Sequence, residues 1–221
     1  MSPSGARPGG WPLVTVDIDG TLTTVHGWKA IAESLGRLPQ FERTQRRFLD
    51  QEIGEDEHLE EMLEIVAGTP WTEVENALAT TPRIAKISDG VEAFHAQGSR
   101  VALLTHNPPY VCEWYCRRFG FDDFEGTGAQ AIVGGLVQAP ENVHADKPSG
   151  LRRLVTRYHI TPGQVVHIGD GWADSALFAR VGRFVALNST IPDVERVADL
   201  VLHSRDFTEV AAAVAALPPR P

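Results

Sequence analysis

The chain has 221 residues, of which 43% are hydrophobic and 22% are charged, and its formal net charge is −9. This length favours one core domain with an insertion, and the acidic balance disfavours nucleic acids and anionic membranes as partners. The chain shows no basic start followed by an apolar run, and its apolar stretch at 210–217 is too short to span a bilayer, so we expect a cytoplasmic protein.

Short apolar runs alternate with helical patterns along most of the chain. The runs predict strands near 12–18, 100–106, 164–170, 183–187 and 199–203. Helices are predicted at 89–98, 108–119, 147–159, 172–181, 192–198 and 206–216. This alternation is typical of an α/β protein with a Rossmann-like parallel sheet and helices on both faces.

The interval from about Val25 to Lys86 contains helical patterns and no convincing strand. Within it, Leu59, Met62 and Val66 recur at the spacing of one amphipathic helix face. We therefore predict a small all-helical domain at 25–85, inserted after the first strand of a discontinuous core domain formed by 11–24 and 86–218.

Polar side chains follow the predicted strands, at the edge where an open parallel sheet binds its ligands. In chain order these residues are Asp17 and Asp19, then Thr105, His106 and Asn107, and then Asp170 and Asp174, with Lys147 ahead of a later helix. Asp19-Gly20 is also a common turn signal, so the first pair taken alone fits the tip of a hairpin slightly better than a site.

The residues after the strands have complementary chemistry. Asp17 and Asp170 offer the oxygen ligands that Mg²⁺ prefers, and such a cation would relieve the repulsion between neighbouring carboxylates. The hydroxyl of Thr105 and the ammonium of Lys147 suit phosphate oxygens. Only three of the 20 basic residues are lysines, which suggests that position 147 needs a compact point charge.

Four stretches together resemble the motifs of the haloacid dehalogenase-like (HAD) hydrolases, in order and at fitting spacing. They are DIDGTLT (17–23), LLTHN (103–107), Lys147 and GDGWAD (169–174). The similarity spans roughly residues 12–203, and the helical insertion resembles the cap of the phosphoserine phosphatase-like branch. The fold that this resemblance implies is the HAD core with a helical cap.

The resemblance also implies roles for individual residues. Asp17 would be the nucleophile that forms an aspartyl-phosphate, and Asp19 the general acid and base. Asp17, the main-chain carbonyl of Asp19 and Asp170 would hold Mg²⁺, with Asp174 supporting the metal site. Thr105 and Lys147 would bind the transferring phosphoryl group.

The chain departs from the phosphoserine phosphatase pattern at the residues that would face the rest of the substrate. Thr105-His106-Asn107 replaces the usual Ser-Gly-Gly, so His106 and Asn107 are candidate substrate contacts. His26 aligns with the cap glutamate that holds the substrate ammonium, and Met62 with the cap arginine that holds the carboxylate. The 48–82 segment contains ten acidic residues and neither lysine nor arginine. This composition disfavours phosphoserine and favours a sugar or amino-alcohol phosphate.

We therefore predict a Mg²⁺-dependent phosphatase for a small phosphorylated metabolite. The alternatives are a phosphoserine phosphatase, a phosphoryl transferase or mutase with the same motifs and, distantly, a non-catalytic phospho-acceptor domain. A mere acceptor needs neither the acid at Asp19 nor a helical insertion of this length. The sequence leaves the oligomeric state open.

Overall fold

The computed structural model describes residues 10–128 and 130–218. The described residues form eight strands and ten α-helices, with short 3₁₀ turns at Pro162–Gln164 and Phe178–Arg180. The strands are β1 (Leu13–Val16), β2 (Arg100–Leu104), β3 (Asp123–Glu125), β4 (Ile132–Val133), β5 (Leu136–Val137), β6 (Val165–Gly169), β7 (Arg183–Leu187) and β8 (Leu200–Leu202). The helices are α1 (Gly27–Ser34), α2 (Leu38–Leu49), α3 (Glu55–Glu64), α4 (Trp71–Thr80), α5 (Ile87–Ala96), α6 (Pro109–Phe119), α7 (Lys147–Arg157), α8 (Trp172–Ser175), α9 (Pro192–Val197) and α10 (Phe207–Ala215).

Six strands form one parallel sheet in the order β3-β2-β1-β6-β7-β8. The central strand β1 pairs with β2 and β6, with Val14 opposite Val101 on one side and Val166 on the other. The predicted α/β class with a parallel sheet is confirmed. Because the strands are parallel, the residues that follow β1, β2 and β6 lie at the same edge.

The two faces of the sheet pack against different helices because strand side chains alternate. One face carries Val14 and Val16 of β1 in a cluster with α5 and α10. The other carries Leu13, packed in a cluster that includes Leu151 and Leu154 of α7. Helices therefore cover both faces, and β1 is buried along its whole length.

The helical insertion, α1–α4, follows β1 and precedes α5. Its entry and exit segments are paired, since Thr23 and Arg83 form an antiparallel bridge. The N–H of Thr24 also donates to the carbonyl of Pro82 at 3.0 Å. The predicted helical interval between the first two strands is thus confirmed, and its connection to the sheet consists of two hydrogen-bonded segments.

Three strands were not expected from the sequence. β3 adds an edge to the sheet beside β2, whereas β4 and β5 form an antiparallel pair that contacts the helical insertion. In that contact the N–H of Val137 donates to the Thr69 carbonyl at 2.9 Å, and the N–H of Trp71 donates to Gly135 at 2.8 Å. The helix predicted at 172–181 is replaced by the shorter α8 and a 3₁₀ turn. Among the described residues, no helix has the length and apolar character to cross a membrane.

Candidate active site

Asp17 lies directly after β1, where its N–H donates to the Ile168 carbonyl at 2.9 Å and so extends the pairing with β6. Its side chain is buried, and its Oδ1 lies 2.8 Å from Nζ of Lys147. Burial and the nearby carboxylates of Asp174 and Asp170 raise the pKa of Asp17 to about 8 against the opposing effect of Lys147. A deprotonated Asp17 therefore depends on positive charge at this point.

Asp19 contacts different partners from Asp17. Its Oδ1 accepts a hydrogen bond from the Gly27 N–H at the start of α1 (2.9 Å), and its Oδ2 accepts one from Nδ2 of Asn107 (2.8 Å). β1 ends at Val16, so strand alternation does not govern the residues that follow. The two carboxylates expected to repel one another are accommodated by separate partners, and Asp19 joins the helical insertion to the sheet.

Lys147 is the first residue of α7, and its side chain is 4% exposed. Its Nζ lies 2.8 Å from Asp17 and 2.5 Å from Asp174. Burial opposes the charge, but these two carboxylates raise the pKa of Lys147 above its ordinary value. A compact, permanently charged ammonium thus lies between two of the predicted site residues.

Asp170 and Asp174 follow β6. Asp170 accepts a hydrogen bond from the Thr21 hydroxyl at 2.8 Å, and burial, reinforced by Asp174, raises the pKa of Asp170 to about 7. Asp174 is buried and accepts hydrogen bonds from the Gly171 N–H (3.0 Å) and Nε2 of His167 (2.8 Å). Although burial opposes its charge, Lys147 and His167 hold the pKa of Asp174 well below its usual range.

The three carboxylates of Asp17, Asp170 and Asp174 fit a hard cation. One oxygen of each lies within 4.8 Å of the others, and an all-oxygen set is the kind that Mg²⁺ prefers. A cation there would favour the ionised forms of Asp17 and Asp170, which burial disfavours. The Asp19 carboxylate does not belong to this group, and its main-chain carbonyl stays a predicted ligand.

Thr105, His106 and Asn107 follow β2 at the same edge. Thr105 is buried, donates its N–H to the Glu125 carbonyl (3.1 Å), and accepts from Nδ2 of Asn107 (3.0 Å). Asn107 therefore links Thr105 to Asp19. Nε2 of His106 is buried with no hydrogen-bond partner among the described residues, and burial, followed by Lys147, lowers the pKa of His106 to about 4. His106 is thus neutral near pH 7.

These residues line a cavity of about 790 Å³ between the sheet edge and the helical insertion. The core wall includes Asp17, Asp19, Thr105, His106, Lys147, Asp170 and Asp174. The wall from the insertion includes His26, Trp28, Gln45, Phe48, Glu55, His58, Leu59 and Met62. Asn107 is the one predicted site residue that does not line the cavity. Its Nδ2 donates hydrogen bonds to two residues that do, Asp19 and Thr105.

Several residues at the site were not expected from the sequence. His167 bridges Asp174 and the Thr15 hydroxyl inside the sheet, and its only signal is a histidine within an otherwise apolar strand run. Thr21 lies in the first motif but had no assigned partner. Glu55 could not be separated from its acidic neighbours on α3, since the sequence does not show which of them faces the cavity.

The chain resembles known proteins in its family, its sequence and its fold. The family model described as haloacid dehalogenase-like hydrolase matches residues 11–182. The chain is 23% identical over 185 residues to a phosphoserine phosphatase of Archaeoglobus fulgidus, which covers 80% of this chain and 52% of that protein. The chain thus spans about half the length of this relative.

Solved structures share the fold. A HAD-family hydrolase of Salmonella enterica serovar Typhi superposes with a TM-score of 0.80 at 16% identity, covering 91% of this chain and 70% of that one. A substrate-bound phosphoserine phosphatase gives 0.77 at 17% identity, covering 92% and 98%. A phosphoserine phosphatase of T. onnurineus gives 0.69 at 22% identity, covering 96% and 98%. At these identities the likeness establishes the fold.

Proposed function

The chain belongs to the haloacid dehalogenase-like hydrolases, and from this membership we propose that it is a phosphatase that cleaves a phosphate monoester of a small metabolite through an aspartyl-phosphate. The observation that carries the proposal is the contact of the Lys147 ammonium with Asp17 in the cavity. We also propose that 25–85 act as a cap domain over a core formed by 11–24 and 86–218.

In the first proposed step, a carboxylate oxygen of Asp17 attacks phosphorus and the bond from phosphorus to the ester oxygen breaks. Asp19 transfers a proton to the departing oxygen, which leaves as an alcohol. Lys147 and the Thr105 hydroxyl hold the phosphoryl oxygens and offset their charge. Asn107 donates to both Asp19 and Thr105, so it would fix the acid relative to the phosphoryl group.

In the second step, Asp19 accepts a proton from water as the water oxygen attacks phosphorus. The bond from phosphorus to Asp17 then breaks, which releases inorganic phosphate and regenerates the carboxylate. The carboxylates of Asp17, Asp170 and Asp174, together with the main-chain carbonyl of Asp19, would hold the Mg²⁺ that family membership implies. When bound, this ion would supply charge neutralisation to the carboxylates and phosphate oxygens.

A second candidate is a phosphoserine phosphatase, because relatives of this chain carry that name. Against it, no lysine or arginine occurs between Arg47 and Arg83 to hold a substrate carboxylate from the helical insertion. A phosphoryl transferase or mutase would use the same residues, with a substrate hydroxyl in place of water.

Release of phosphate from p-nitrophenyl phosphate tests the proposal. We expect sustained release over many turnovers with Mg²⁺, and none from Asp17→Asn. Release of one equivalent of p-nitrophenol per chain with no release of phosphate would indicate an acceptor without hydrolytic turnover, because the phosphoryl group would stay on Asp17. Release of p-nitrophenol that requires an added alcohol, with the phosphoryl group recovered as an ester of that alcohol, would indicate a transferase. Either outcome would refute the proposed hydrolase.

A further inference from the structure

The wall that the helical insertion contributes to the cavity has an unusual charge balance. Its ionisable groups are Glu55, His26 and His58, and it includes no lysine or arginine. Burial, followed by His26, lowers the pKa of His58, so this ring is uncharged near pH 7. Glu55 is the one acidic residue of this wall.

Glu55 differs from its two acidic neighbours in the first turn of α3. Asp56 accepts a hydrogen bond from the Ala145 N–H at 2.7 Å, and Glu57 lies 3.3 Å from Arg47. Glu55 is exposed, has no ion-pair or hydrogen-bond partner among the described residues, and lines the cavity together with Lys147. Partial desolvation, followed by Asp56, raises the pKa of Glu55 against the opposing effect of Lys147. Asp56 and Glu57 already place negative charge at the N-terminus of α3, where the helix dipole favours it. Of the three acidic residues, Glu55 alone lines the cavity.

Aromatic rings lie on the same wall. Phe48 and His58 stack with ring centroids 4.2 Å apart and an interplanar angle of 17°. Nε2 of His58 lies 3.1 Å from Oε1 of Gln45, which holds the ring in place. Trp28 also lines this wall. Aromatic faces attract ammonium groups and do not attract carboxylates.

We propose that this wall selects a substrate whose organic part carries an ammonium group and no carboxylate, that is, the phosphate ester of an amino alcohol, with Glu55 pairing with the ammonium. This inference rests on the proposed phosphatase function and names its substrate class. A carboxylate beside the phosphate would meet Glu55 with no cation from the insertion to offset the repulsion. The ammonium would also complement the acidic cavity, where Lys147 is already paired with Asp17 and Asp174.

Arg205 is the cavity residue that could oppose this selection. It is exposed and lines the opposite, core side of the cavity, in the segment ahead of α10. A substrate carboxylate directed toward Arg205 would avoid Glu55. The experiment therefore includes a variant at each of these two positions.

Three phosphate esters distinguish the effect of a substrate ammonium from the effect of a substrate carboxylate. Ethyl phosphate has neither, O-phosphoethanolamine adds the ammonium, and O-phosphoserine adds both the ammonium and the carboxylate. We expect kcat/KM for O-phosphoethanolamine to exceed that for ethyl phosphate by about tenfold, as one charged hydrogen bond provides, and to exceed that for O-phosphoserine. Glu55→Gln should bring the ratio of O-phosphoethanolamine to ethyl phosphate close to one. Glu60→Gln, which removes the same charge from an exposed position on the same helix, should leave the ratio unchanged.

Each outcome of this experiment supports or refutes the pairing of Glu55 with the substrate ammonium. A wild-type ratio near one, or a ratio that survives Glu55→Gln, would overturn the role of Glu55. A preference for O-phosphoserine that disappears in Arg205→Gln would show that the carboxylate binds to the core side, and would also overturn the proposal. Hydrolysis of p-nitrophenyl phosphate, with equal kcat/KM for ethyl phosphate, O-phosphoethanolamine and O-phosphoserine, refutes this inference alone. Absence of turnover with every ester refutes the proposed phosphatase as well.

Discussion

The contact between Gly27 and Asp19 makes the position of the Asp19 carboxylate sensitive to a single methyl group. A Cβ built on Gly27 would lie 2.1 Å from Oδ1 of Asp19, whereas real Cβ atoms essentially never approach such an atom within 3.0 Å. In Gly27→Ala, the Asp19 carboxylate, the start of α1 or both must therefore move, by about 1 Å in total. The hydrogen bond from the Gly27 N–H to Asp19, 2.9 Å long, would be lost or redirected.

A displacement of about 1 Å in a catalytic group costs on the order of 10²-fold in rate. We expect Gly27→Ala to lower kcat/KM by about that factor for an alkyl phosphate, whose leaving group needs a proton from Asp19. The loss should be smaller for p-nitrophenyl phosphate, since its leaving group needs little protonation. Alanine favours helix over glycine by up to about 1 kcal/mol, which opposes the cost of displacing Asp19, and each kcal/mol of net change shifts the melting temperature by about 2–4 °C.

Gly54→Ala is the matched control. Gly54 directly precedes helix α3 of the insertion, but a Cβ there would meet nothing within 4 Å, and its backbone has φ −80° and ψ 175°. This variant should keep both activities. Wild-type hydrolysis of alkyl phosphates by Gly27→Ala would refute the coupling between α1 and Asp19, and an equal loss on both substrates would show that the damage extends beyond the acid.

Three further outcomes follow from the site. Asp17→Asn should abolish phosphate release while the melting temperature stays near that of the wild type; release near the wild-type rate would remove Asp17 as nucleophile. Asp19→Asn should lower the rate by about 10²–10⁴-fold on alkyl phosphates and less on aryl phosphates, and an equal loss on both would contradict its role as acid. EDTA should silence the enzyme and Mg²⁺ restore it, with Ca²⁺ a poor substitute because it prefers more ligands and longer bonds; full phosphate release in EDTA would contradict the metal site.

The sequence predicts the central sheet well because its strands are doubly buried and therefore read as continuous apolar runs. β3 carries no such signal, since two of its three residues are acidic. Its edge position is compatible with charge because Arg153 and Arg157 of α7 lie 2.6 and 2.7 Å from Glu125. The pairing of β3 with α7 is a tertiary effect that a local pattern does not reveal.

The site shows the same division between local and tertiary information. Residues that follow strands could be assembled in advance, because parallel strands end at one edge. The partners of each carboxylate could not be predicted, since Lys147 and Asp174 are 27 positions apart in the sequence and Asn107 and Asp19 are 88 positions apart. The residues that the insertion contributes to the cavity could not be predicted either, because helical periodicity does not show which residue of the first turn of α3 faces the sheet.

Asp19 connects substrate recognition with the chemistry that we propose. One of its oxygens is held by Asn107 on the sheet edge and the other by the N–H of Gly27 on the insertion. The acid therefore has both partners when α1 is docked as described. A substrate that contacts the insertion through Glu55 and the core through Lys147 would favour that same docked arrangement. Binding energy from the part of the substrate that does not react would thus position Asp19 for proton transfer. Binding energy used in this way raises kcat and not affinity.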